Sequence, residues 1–225
     1  MSIHYRHELK HEISYADYLS IRMRMGAIAT PDPHAIDGKY LIRSLYFDNL
    51  YDKALKEKID GVDMREKFRI RYYNLDPSLI HLEKKSKKNG LGTKYSASLS
   101  AEETRKIIEG DIEWMMGDER ELLNELYLKM NYQCLRPKTI VDYTRDPFIY
   151  APGNVRVTLD YDIRTGLEKK DFLNPDCVTL PAGDAPIILE VKWDEYLPEI
   201  IKDAVQLKNV RSGAFSKYAQ CRIYG

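Results

Sequence analysis

His7, Glu8 and His11 spell the pattern H-E-x-x-H as HELKH. On a helix that spacing sets two imidazoles and a general base around a zinc ion. The surrounding residues argue against this chemistry. Tyr5, Leu9 and Ile13 fall on one parity, and Arg6, Glu8, Lys10 and Glu12 on the other, which is the period of a strand. On a strand Glu8 points away from the face that carries His7 and His11, and both histidines read as outward strand positions. The ionic half of the alternation is the more informative feature, because it recurs. Lys67, Arg69 and Arg71 share a face in KFRIRYY, as do His81, Glu83, Lys85 and Lys87 in LIHLEKKSK. In VRVTLDYDIRT the set is Arg156, Thr158, Asp160, Asp162 and Arg164, and in IILEVKW it is Glu190 and Lys192. Cations repeated in this way suit a highly charged anion. The carboxylates among them, Glu8, Glu83, Asp160 and Glu190, can compensate them or hold a hard divalent ion. No P-loop and no G-x-G-x-x-G occurs, and GLGTK (90–94) reads as a hairpin turn. A nucleotide would therefore be held by side chains.

The elements that must position these groups follow from the same periodicities. Strands are expected at 3–13, 40–48, 67–73, 78–87, 92–100, 139–148, 154–165 and 187–193. Ser14-x-x-Asp17 predicts a helix N-cap, with Leu19 and Met23 on the helical stripe to about Gly26. Ser100-x-x-Glu103 opens a second helix ending near Gly110. A third spans about Asp118 to Met130, with Leu122, Leu123, Leu126, Tyr127 and Met130 on one face. Pro198 begins a fourth that reaches about Lys208. The segment 30–38 reads as a loop, APGN as the turn between two strands, and the end, GAFSKYAQCRIYG, as short and mixed. Strands mostly follow strands, so the class is α+β with an antiparallel sheet, in a single domain over 1–225. About eight strands is also the number at which a sheet can close into a small barrel. With the ionic face inward, the lumen would be a cationic tunnel under flanking helices.

Composition narrows the function. The 35 basic and 35 acidic residues cancel, so no global basic field for nucleic acid exists. The 3 cysteines, Cys134, Cys177 and Cys221, form no C-x-x-C, which argues against a disulfide framework or structural zinc and fits a reducing compartment. No apolar run approaches a membrane span, and a cytoplasmic location is expected.

The ordered series HELKHEI, SLYFDN, KFRIRYY, HLEKKSK, YTRDPF, VRVTLD, ILEVKW and FSKY resembles the catalytic domain of the vacuolar transporter chaperone polyphosphate polymerases, members of the triphosphate tunnel metalloenzymes. The resemblance covers almost the whole chain. It implies a closed eight-stranded antiparallel barrel that grips ATP and inorganic polyphosphate and, with Mn²⁺ or Mg²⁺, transfers the γ-phosphoryl group to a growing chain. Carried over by motif, it implies phosphate contacts from Lys10, Arg69, Arg71, Lys85, Lys94, Tyr143, Arg145, Arg156, Ser216 and Lys217. It implies catalytic roles for Lys217, Lys192 and Arg145, and metal binding by Glu190. Two departures stand out. Lys85-Ser86-Lys87 replaces the family's Lys-x-His, and Glu8-x-Lys10-x-Glu12 differs from the Glu-x-Glu-x-Lys of the cyclase and thiamine-triphosphatase branch. The eukaryotic regulatory domain and membrane spans are not seen here, so inositol-phosphate control and product translocation are not implied, although a membrane partner is compatible. The alternatives are a metal-dependent tripolyphosphatase or nucleoside triphosphatase on the same scaffold, and a non-catalytic polyphosphate-binding module.

Overall fold

The computed structural model describes residues 7–88, 91–184, 186–206 and 215–224. Tyr5, Arg6, the first residue of GLGTK and positions 207–208 of the predicted fourth helix lie outside this range. The strands are β1 His7–Ile13, β2 Thr30–Pro31, β3 Tyr40–Asp48, β4 Arg65–Tyr73, β5 Asp76–Lys88, β6 Leu91–Leu99, β7 Arg136–Tyr150, β8 Val155–Gly166, β9 Thr179–Pro181 and β10 Ile187–Trp193. The helices are α1 Tyr15–Ile28, α2 Lys53–Ile59, α3 Ala101–Glu109, α4 Glu121–Tyr132, α5 Glu199–Val205 and α6 Lys217–Tyr224. The α+β class and the antiparallel pairing agree with expectation.

The chain forms two compact units. One comprises Met1–Leu41, Tyr143–Ile163 and Asp184–Phe215; the other comprises Ile42–Asp142, Arg164–Gly183 and Ser216–Gly225. In the first unit the strand order is β1-β10-β8-β7, with the short β2 against the end of β7. Val155, Val157, Leu159, Leu189 and Val191 alternate toward a core completed by α1 and α5. A capping box between Ser14 and Asp17 starts α1, as predicted. Its buried stripe, however, is Tyr18, Ile21 and Met25, whereas Leu19 and Met23 are exposed. The helix is apolar on two sides, so hydrophobicity alone picked the wrong one. The APGN turn joins β7 to β8 with Gly153 at φ 73°, where a Cβ would lie 2.5 Å from the Tyr196 carbonyl oxygen. Only glycine suits that position.

In the second unit the order is β7-β3-β4-β5-β6. Leu45, Phe47, Phe68, Ile70 and Leu82 pack on Ile107 of α3 and on Leu122, Leu123, Leu126 and Met130 of α4. Arg43 is buried on this side and pays for its place with a bidentate bond to Asp142 and a 2.6 Å bond to the Asn174 carbonyl. Two helices went unforeseen, as did two short strands, β2 at the start of the segment 30–38 that was expected as a loop and β9 at Thr179–Pro181. The helix α2 is too short and too polar to carry a stripe, and the chain end folds as α6 rather than as irregular structure. Asp48 holds both. Its carboxylate accepts the N–H groups of Ala54 and Leu55 at the start of α2 and the Tyr218 hydroxyl of α6, the last at 2.6 Å.

The predicted closed barrel is corrected. The strand path ends at β1 and at β6, and no ladder joins these two edges among the described residues. Closure needs matched tilt and stagger around the whole ring, which alternation along single strands does not encode.

Tyr218→Phe deletes one buried charge-assisted hydrogen bond while keeping the ring. Urea denaturation should show a loss of about 2 kcal/mol; an unchanged midpoint would mean that the bond to Asp48 contributes nothing to the docking of α6.

Candidate functional site

In the second unit the ionic face is the back of the core face on β3, β4, β5 and β6. Register sets Ser44 opposite Arg71 and Tyr46 opposite Arg69. It then sets Lys67 opposite Lys85 and Arg69 opposite Glu83, and Lys85 opposite Lys94. Glu83 is buried at the centre. Arg69 Nε donates to its Oε2 at 2.6 Å, and Lys94 pairs with its Oε1. Arg69 Nη1 also donates to the Tyr46 hydroxyl at 2.9 Å, and Arg71 Nε donates to Ser44 Oγ at 2.9 Å. Burial disfavours the charged form of Glu83, but Arg69, Arg71 and Lys94 outweigh it and hold the carboxyl well below its usual range. Tyr46 obeys the same balance. Burial opposes its ionisation, yet Arg69, Arg71 and Lys67 bring its pKa from 10.0 to about 8.

The Tyr46 ring stacks on Tyr218 at 5.1 Å between centroids. Tyr218 follows Lys217, the first residue of α6, so the stack and the Asp48 bond fix where α6 begins. Ser216 serves as its cap, with Oγ accepting the Ala219 N–H at 3.4 Å. Both Ser216 and Lys217 are half-buried.

The first unit carries a second ionic face on β1, β10, β8 and β7. Lys10 lies opposite Glu190, and Glu190 lies opposite Thr158, with Lys192 opposite Arg156. Lys10 Nζ is 2.9 Å from Glu190 Oε2 and 2.9 Å from Glu8 Oε1. Lys192 pairs with Glu190 Oε1. Arg145 grips Asp160 bidentately at 2.6 and 2.8 Å and lies over the Tyr143 ring, 5.5 Å from its centroid. Arg156 Nη2 reaches Asp32 at 3.2 Å. Burial pushes Glu190 up, but Lys10, Lys192 and Arg145 drive it well below the carboxylate range. Burial likewise pulls Lys10 down, and Glu190 and Glu8 more than restore it. Each unit thus presents clustered cations gathered around buried carboxylates. Such a face can exchange its internal carboxylates for the oxygens of an external polyanion.

The model of the VTC domain matches residues 5–224. The chain belongs to the VTC domain family. Among solved structures, this VTC domain is similar to a candidate adenylate cyclase from Bacillus halodurans, at 15% identity and TM-score 0.53 over 85% of this chain and 80% of that one. It is also similar to the PH1012 protein of Pyrococcus horikoshii, at 13% identity and TM-score 0.45 over 89% and 85% of the two chains. The first likeness supports a shared fold. No curated protein matches the sequence. No helix among the described residues is long and apolar enough to cross a membrane.

The structure brings Arg69, Arg71, Lys85 and Lys94 onto one face of the second unit of the VTC domain. It brings Lys10, Arg145, Arg156, Glu190 and Lys192, with Tyr143 under Arg145, into the first. Lys217 opens α6 of the second unit and Ser216 caps it. Sequence reasoning missed Ser44, Tyr46 and Asp32. Ser44, Tyr46 and Asp48 do alternate with Leu45 and Phe47 in SLYFD, but hydroxyls on a strand that is buried on both sides do not register as an ionic face. The HELKH segment forms β1, and among the described residues no three His, Cys, Asp or Glu side chains group to enclose a metal. The donor set offers a divalent ion the carboxylate of Glu190, with Glu8 sharing its lysines. Mg²⁺ is commonly held by one or two carboxylates together with substrate phosphates and water, so the residues fit an ion that arrives with its phosphate.

Arg69→Ala takes the bonded guanidinium from buried Glu83 and leaves it Lys94 and the nearby charge of Arg71. Denaturation should show a loss of about 3 kcal/mol, and Arg69→Ala/Glu83→Gln should recover most of it. A double variant no more stable than Arg69→Ala would rule out the pairing as the cause.

Tyr46 ionises more easily in the fold than in the unfolded chain. Its contribution to stability is therefore full above pH 10 and is lost as pH falls through about 8. Ultraviolet titration should show one tyrosinate forming near pH 8, and Tyr46→Phe should abolish it. Identical titration curves for the two proteins would contradict the assignment.

Proposed function

We propose that this VTC domain is an ATP-dependent polyphosphate polymerase, a single catalytic domain that transfers the γ-phosphoryl group of ATP to a growing polyphosphate chain. The observation that carries the reading is the pair of ionic faces, in which arginine and lysine on successive strands are compensated by buried Glu83, Asp160 and Glu190. Membership of the VTC domain family supports it. In this reading Lys10, Arg69, Arg71, Lys85, Lys94, Arg145 and Arg156 bind phosphate oxygens, with hydroxyl contacts from Tyr143 and Ser216. Glu190 holds Mn²⁺ or Mg²⁺, which would supply Lewis-acid neutralisation of phosphate charge.

Phosphoryl transfer asks the protein mainly for positioning and charge stabilisation. Arginine forks orient the phosphates, because a planar guanidinium fixes two oxygens at once. Lysine ammonium groups follow charge as it moves, and Lys217, Lys192 and Arg145 are assigned that role. Lys217 stands at the start of a helix anchored by Tyr218, so its backbone position is fixed.

Purified protein incubated with ATP and Mn²⁺ should yield a ladder of polyphosphate on a gel. Release of ADP and orthophosphate without polymer would instead make it a triphosphatase, and polyphosphate binding without turnover would make it a binding module. Lys217→Ala should lower turnover by on the order of 10²-fold with only a few-fold loss of ATP affinity. Equal polymer yield at saturating ATP would remove Lys217 from the mechanism.

A further inference from the structure

Two buried polar atoms on β8 have no hydrogen-bond partner among the described residues, Thr158 Oγ1 and Arg156 Nε. Both side chains belong to the ionic face, since Thr158 lies opposite Glu190 and Arg156 opposite Lys192. Thr158 is only 2% exposed. A buried hydroxyl with no partner costs stability, and a valine would fill nearly the same volume without that cost. The same strand uses valine at positions 155 and 157, on the core face. The charged neighbours of Thr158 are engaged with one another. Glu190 is held by Lys10 and Lys192, Asp160 by Arg145, and the far end of Arg156 by Asp32. The hydroxyl therefore has no place in the ion-pair network of the free protein.

We propose that Thr158 is a ligand-binding residue whose hydroxyl, together with the Arg156 Nε–H, donates to a phosphate oxygen of the bound polyanion. The inference rests on the anion-binding reading of this face and adds to it a residue outside the set of cations. A neutral hydroxyl gives direction to the contact without adding a charge that would itself need compensation. Arg156 Nε supplies a second donor from two residues along the same face, so one tetrahedral phosphate can satisfy both unpaired groups. The Thr158 oxygen is closed to solvent while the ion pairs around Glu190 are formed. A phosphate reaches it as those pairs open, when the lysines turn from carboxylate to ligand. The unsatisfied hydroxyl thus trades stability of the free protein for affinity in the complex.

Thr158→Val keeps the shape and removes the hydroxyl; Thr158→Ser keeps the hydroxyl. Thermal unfolding without ligand and calorimetric titration with sodium tripolyphosphate are measured on both and on the parent. The Val variant should melt at or above the parent and bind tripolyphosphate about 10-fold more weakly, while the Ser variant binds like the parent. If Thr158→Val does not fold, Thr158→Ala carries the same binding expectation. A Val or Ala variant that binds as tightly as the parent overturns the inference and leaves the anion-binding reading intact. A parent that binds no tripolyphosphate overturns both.

Discussion

The constraint on which this protein depends is the cost of holding many cations in a folded interior. An unpaired buried charge is too expensive to keep, so each cluster is built around an acid. Arg69 and Lys94 converge on Glu83, Arg145 on Asp160, and Lys10 and Lys192 on Glu190. Strand register makes this possible. Antiparallel pairing sets Arg69 directly opposite Glu83 and Lys10 directly opposite Glu190, so the compensation is cross-strand and needs no long reach. The apolar faces of the same strands then build two cores, covered by α1 and α5 in one unit and by α3 and α4 in the other.

That division explains what was legible in the sequence. Alternation in KFRIRYY, VRVTLDYDIRT and IILEVKW announced both the strands and the side that each residue would take. Local signals worked equally well at helix starts, where Ser14 with Asp17 and Ser100 with Glu103 form the capping boxes they suggested. The failures share a cause, which is dependence on residues outside the element's own pattern. α2 begins without a side-chain cap from its own Asp52 and instead borrows the carboxylate of Asp48, outside its first turn. α6 is tied to the same Asp48 by Tyr218, 170 residues away along the chain. The open ends of the strand path are a property of the whole set of strands, and no window of a few residues contains it.

The candidate site was readable to the extent that it is charged. Lysine and arginine announce themselves in an apolar alternation, and carboxylates on the same parity announce their partners. Neutral members are silent in the sequence. Tyr46 looks like any strand aromatic until its hydroxyl is found on Arg69, and Thr158, which alternation already sets on the ionic face, shows no role of its own until its oxygen is found without a partner.

The different depths of the cations in the second unit bear on how the protein would respond to ionic strength. Arg69 and Glu83 are nearly sealed, whereas Lys94 has half of its side chain in solvent. Mobile ions screen exposed charges over about 8 Å at physiological salt and reach sealed pairs far less. If the face binds an anion as proposed, salt would weaken the attraction of the outer Lys94 and leave the inner Arg69 geometry almost untouched. In that reading the rate of capture and the fit of the captured ligand would be set by different residues, and the ionic composition of the medium would tune the first without disturbing the second.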